Sequence, residues 1–97
     1  MTPTQEIERG RLAADVLTNQ VFEEAWDTVE QEITTRWRSE EDARQREWLW
    51  TLLQASRKFK SVLTETVQTG QVRAKALEVE RSRAERLGQT LSRPFRR

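Results

Sequence analysis

The stretch SEEDARQREWLWTLLQASRKFKSVLTETVQTG, residues 39–70, decides the fold. It opens on Ser39, an N-cap residue type, followed by Glu40, Glu41 and Asp42, where the positive end of a helix dipole favours acids. It closes at Gly70, the residue type that most readily ends a helix in the left-handed conformation. Between them Trp48, Leu52, Ala55, Phe59 and Val62 step by four and three, the spacing of one helical face. Leu49, Leu53, Ser56 and Leu63 widen that face, and Trp50 lies off it. The expectation is a helix over residues 40–69 with the Trp48 stripe turned into the core.

Upstream, Thr2-Pro3-Thr4-Gln5 reads as a helix start: Thr2 as N-cap, Pro3 in the first turn, Gln5 closing a capping box. Ile7, Ala14, Leu17, Val21, Ala25, Val29, Ile33 and Trp37 then recur at helical spacing, which predicts a helix over residues 3–38. Gly10 weakens its first turns, and Asp15 and Asn19 fall close to the apolar stripe. Around Arg38-Ser39-Glu40 there is neither Gly nor Pro, so two readings compete. Ser39 caps a second helix and an antiparallel hairpin forms, or one helix runs through and aligns Trp26, Trp37 and Trp48 at an eleven-residue repeat. The hairpin is favoured, because a single helix would need a partner chain along its whole apolar length.

Downstream of Gly70, Leu77, Ala84 and Leu91 fall seven apart among charged residues, a thin seam suited to pairing with another helix. The tail Ser92-Arg93-Pro94-Phe95-Arg96-Arg97 is basic and carries one aromatic. The organisation read from sequence is therefore all-α. A long antiparallel hairpin occupies residues 1–70, and residues 71–97 form a third, charged helical arm with a basic tail.

Composition narrows the chemistry. Apolar residues are 35% and charged residues 34% of the 97, so the chain can bury only a modest core. Cysteine and histidine are both absent, which removes thiol nucleophiles, the common metal ligands and the usual proton carrier near neutral pH. The carboxylate pairs Glu23/Asp27 and Glu40/Glu41 fall on polar helix faces, with no glycine-rich loop to complete a pocket. Catalysis, cofactor binding and metal binding are therefore not expected. Neither a membrane span nor a leader peptide is legible, so an intracellular protein is expected. Charge is uneven: residues 1–35 hold eight acids and two bases, residues 36–60 seven bases and four acids, residues 61–97 eight bases and four acids. An acidic first element beside basic later ones favours antiparallel packing within the chain or head-to-tail packing between chains.

What remains is association. Trp48 and Trp50 lie about 200° apart on a helix, so both cannot face one core. Trp50, then Trp37, are the expected anchors of a protein interface, with Leu77, Ala84, Leu91 and Phe95 on the arm. Arg57-Lys58-Phe59-Lys60 interleaves bases with an aromatic, but a solvated face around an inward Phe59 explains it. Arg81, Arg83, Arg86, Arg93, Arg96 and Arg97 are candidates for contacts to phosphates or an acidic partner. The interspersed Glu78, Glu80 and Glu85 would face the same phosphates, which weakens the nucleic-acid reading.

From Glu8 to Glu80 the pattern resembles small helical proteins of the head and packaging genes of tailed bacteriophages. The carrying residues are Arg9-Gly10-Arg11-Leu12-Ala13-Ala14, Phe22-Glu23-Glu24-Ala25, the Trp37-Arg38 helix end, Arg46-Glu47-Trp48-Leu49-Trp50 and Val67-Gln68-Thr69-Gly70 before a charged tail. The resemblance implies an oligomeric virion or morphogenesis component, present in the host cytoplasm during assembly and partnered by itself, coat or portal. Small terminase subunits are the alternative within that resemblance, and they would bring DNA as a partner; this chain lacks the short three-helix segment of their DNA-binding domains. Scaffolding proteins, which can end in a basic helical element, are similar in style. A regulator that binds a host protein fits the same surface.

Overall fold

The computed structural model describes residues 1–92, which form three α-helices and no strand: α1 (Pro3–Leu17), α2 (Gln20–Ser39) and α3 (Ala43–Ser92). The fold is all-α. Arg93, Phe95, Arg96 and Arg97 lie outside the described residues, and for Leu91 and Ser92 only the helical backbone is described. α1 and α2 run antiparallel to the first part of α3, which draws the molecule out to 87 × 24 × 21 Å.

The start of α1 is as the sequence predicts. Gln5 N–H donates to Thr2 Oγ1 and Thr2 N–H donates to Gln5 Oε1, a complete capping box with Pro3 in the first turn. The helix expected over residues 3–38 is, however, two helices. Thr18 closes α1 by donating both N–H and Oγ1 to the Ala14 carbonyl, at 3.0 and 2.8 Å. Asn19 then turns extended, and its side-chain oxygen accepts from Phe22 N–H at 3.0 Å, capping α2. A short polar side chain offered the backbone a local hydrogen bond and broke the ladder there.

The hairpin turn takes Glu40, Glu41 and Asp42. Ser39 is the last residue of α2 rather than the cap of the next helix, its hydroxyl donating back to the Thr35 carbonyl. Asp42 does the capping: its Oδ1 accepts from Arg44 and Gln45 N–H at 2.8 and 3.2 Å. Gly70 ends no helix. α3 runs on as 50 unbroken residues, so the arm is a continuation of the hairpin's second strut, not a separate third helix.

The inward face of α3 is Arg46, Leu49, Ser56, Lys60, Leu63, Val67 and Gly70 with Leu53, spaced by alternating threes and fours. This is the narrow seam of a two-helix pair. Leu49 and Leu53 are buried against Ile33, with Trp37 packed on them. The seam is therefore rotated one residue, about 100°, from the expected Trp48 stripe.

Gly10 and Gly70 explain that choice. They face each other where α1 crosses α3. A Cβ built on Gly10 would sit 2.9 Å from Gly70 Cα and 3.1 Å from the Thr66 carbonyl oxygen. One built on Gly70 would sit 2.9 Å from Gly10 Cα and 3.2 Å from the Glu6 carbonyl oxygen. Each glycine thus lies against the other and against the carbonyl one turn before it, a geometry only Gly permits. Both obstacles are backbone, so a methyl group at either position must push the helices apart. Gly70→Ala is expected to cost about 1–2 kcal/mol, since a clash with backbone falls in the upper part of the overpacking range, about 2–3 kcal/mol, and alanine's helix propensity returns roughly 1. Gly88 has nothing within 4 Å of its built Cβ, so Gly88→Ala should hold or slightly raise the melting temperature. Circular dichroism melts of the two variants check this pair of opposite signs; a Gly70→Ala protein as stable as the parent would refute the crossing.

Candidate interaction surface

At the turn end, Trp37 and Trp50 come together, ring centroids 6.2 Å apart. The two tryptophans expected to anchor a partner thus meet within the hairpin, although Trp50 keeps 48% of its surface exposed. Arg46 lies on the other ring contact of Trp37, its guanidinium carbon 4.4 Å from the centroid. Its Nη1 donates to the Trp37 and Glu40 carbonyls at 2.8 and 3.1 Å, so one side chain ties the end of α2 to the start of α3.

Midway along, Trp26 carries a second cluster. Phe22 and Phe59 lie 6.0 and 6.2 Å from it, and Lys60 Nζ sits 5.4 Å from its ring. Glu30 accepts from Trp26 Nε1 and from Arg57 Nε, both at 3.1 Å, which links α2 to α3 on a partly exposed edge. Such a bridge fixes geometry more than it adds stability. The Arg11–Glu8 pair lies on the outside of α1; the guanidinium holds the Glu8 carboxyl below its ordinary range, in full solvent.

The stripe that sequence placed in the core is on the outside. Trp48 is 60% and Phe59 57% exposed, against 8% for Leu49 and 6% for Leu53. Leu52 and Val62 are exposed with them. Val62 lines a shallow groove with Arg9, and Arg9 lines the next with the exposed Leu12, so apolar groups of α1 reach the same side. The missed signal was visible: α3 carries two adjacent helical stripes, and a hairpin two helices thick buries only one.

Along the arm, Ala74, Leu77, Arg81, Ala84 and Gly88 continue the seam positions of Leu49 to Gly70. Arg73 pairs with Glu6 at 3.5 Å, at the start of α1, so α3 outruns its partner from there. Leu77 is exposed, as is Ala84. Arg81 reaches Glu85 at 3.8 Å, while Arg83 and Arg86 line a groove with Lys75, Glu78, Val79 and Ser82. The two basic candidates Arg83 and Arg86 are together, with an acid beside them.

Among the described residues, no group of three or more acids is placed so that it could hold a metal ion, and no helix is long and apolar enough to cross a membrane. The surface is 8500 Å² for 11.5 kDa, where a compact monomer of that mass exposes about 5,800 Å². What the residues assemble is an extended pair of helices with apolar stripes facing outward. Comparison with protein-family models, with curated proteins and with solved structures finds no match.

Arg46→Ala should destabilise the hairpin by about 1.5–3 kcal/mol, the range for hydrogen bonds from a charged donor. Asp42→Ala, which removes only a cap, should cost about 1 kcal/mol. Urea titrations followed by tryptophan fluorescence measure both; the reverse order would show that Arg46 does not tie the turn.

Proposed function

We propose that this chain is a non-catalytic assembly protein that associates with itself and docks on a larger complex through its arm. The carrying observation is that α3 outruns α1 and repeats its seam spacing beyond the point where the chain itself can cover it. The excess of exposed surface over that of a compact monomer supports the same reading. Its setting, in this proposal, is the head or packaging machinery of a tailed bacteriophage, with coat or portal as partners. That setting rests on the sequence resemblance; Val67-Gln68-Thr69-Gly70, one of its marks, lies inside α3 rather than at a helix end.

The second reading, DNA packaging, draws on Lys75, Arg83 and Arg86 along one groove. Glu78 in that groove and the Arg81–Glu85 pair favour a mixed-charge protein surface instead. Co-sedimentation with coat or portal assemblies tests the proposal. The parent chain should pellet with one of them, and Leu77→Asp with Ala84→Asp should abolish that while keeping the helical content. A chain that neither self-associates at about 100 μM nor pellets with either assembly would overturn it. DNA affinity that is measurable at about 0.15 M salt and falls steeply as salt is added would select the packaging reading.

A further inference from the structure

We propose that a second copy of this chain packs on the outer stripe of α3, with the two α3 helices antiparallel and the twofold axis passing between Leu52 and Ala55. The inference deepens the self-association half of the proposed function and rests on it; the arm takes no part.

The stripe has a seam spacing of its own. Trp48, Leu52, Ala55, Phe59 and Val62 alternate by four and three, the pattern that lets one helix insert side chains between those of another. In antiparallel packing each residue of the four-step type meets one of the three-step type. The pairs that result are Trp48 with Phe59 of the other copy, and Leu52 with its Ala55. Two aromatic pairs close the ends and a large–small pair fills each central layer, an arrangement that fills space without bulk meeting bulk.

Charge decides between directions. The positions flanking the stripe away from the hairpin seam carry Arg44, Glu47, Lys58 and Glu65. Antiparallel pairing about this axis sets Arg44 opposite Glu65 and Glu47 opposite Lys58, twice each by symmetry. Parallel pairing turns this flank of one copy toward the seam side of the other, where α1 and α2 lie, and forms none of these four pairs. None of these four is tied by an ion pair within the chain among the described residues. The two glycines, by contrast, already have their partner across the α1–α3 crossing and are not part of this surface.

The area is adequate. Trp48, Phe59, Leu52 and Val62, with Leu12, Val16 and Val29 of α1 and α2, are all exposed. Their exposed apolar surface comes to roughly 500–600 Å², the upper end of the largest patch on a typical monomer. With its charged rim it approaches the roughly 800 Å² per partner of a standard interface. The result is a bundle four helices thick in place of a hairpin two helices thick, with the arms projecting from opposite ends.

Sedimentation equilibrium on the full chain tests this. The parent should be a dimer, and Ala55→Glu should weaken association at least 100-fold with its helical circular dichroism unchanged. Lys58→Glu should weaken it about 5–10-fold, and Glu47→Lys added to Lys58→Glu should restore most of the loss, which no folding defect would do. The chain has no cysteine, so a single Gln68→Cys takes a spin label cleanly. Antiparallel α3 helices place the two labels about 45 Å apart at 1.5 Å per residue, and parallel ones under about 25 Å. A monomeric parent overturns the inference. So does a dimer that Ala55→Glu leaves intact, or a short label distance; these two outcomes move the contact elsewhere and leave the assembly function standing.

Discussion

The contact of Gly10 with Gly70 is the constraint on which the rest of the architecture depends. With no side chain at either position, the backbones of α1 and α3 approach until a single Cβ would fall 2.9 Å from the opposite Cα. That approach fixes the axial register of the two helices, because any slip brings Thr66, Val67 or Ala13 into the gap. It also fixes rotation. Once Gly70 points at α1, the phase of a straight helix directs Val67, Leu63, Leu53 and Leu49 the same way. The buried Ile33, Leu49 and Leu53 group at the far end is the distant consequence of two glycines at the near end.

Helix content, direction and the presence of a hairpin were legible in the sequence because each has a local cause. Thr2-Pro3-Thr4-Gln5 forms its capping box from residues within one turn. The rotation of α3 was not legible, because two adjacent stripes are both periodic and the choice between them is made by a residue on another helix. Gly70 read as a terminator for the same reason. A glycine followed by a charged stretch looks like a helix end until its partner, sixty residues away, is known. The break at Asn19 was only half legible: its polarity beside the apolar stripe was a warning, and its capping role needed the geometry of Phe22 N–H.

The candidate interaction surface was legible as residue types and not as places. The sequence points to Trp50 and Trp37 as anchors of a protein interface, whereas in the structure they meet each other at the turn, with Arg46 completing the cluster. Trp48 and Phe59, which the spacing places in the core, lie outside it. Leu77 and Ala84 are exposed on a helix face that no part of the described chain covers.

These two corrections have one origin. A hairpin of two helices buries one stripe per helix, whereas α3 carries two, with Trp48, Trp50 and Phe59 all exposed outside the buried one. Small residues make the tighter seam, so the glycine-containing stripe turns inward and the bulky one is left facing outward. An elongated fold cannot hide it by curling, since the radius of gyration is 23.1 Å where a compact chain of this length has about 12.5 Å. The apolar surface is therefore straight, regular and edged by charges of both signs. Those are the properties that pairing with another helix requires, and loose burial under a loop would require none of them.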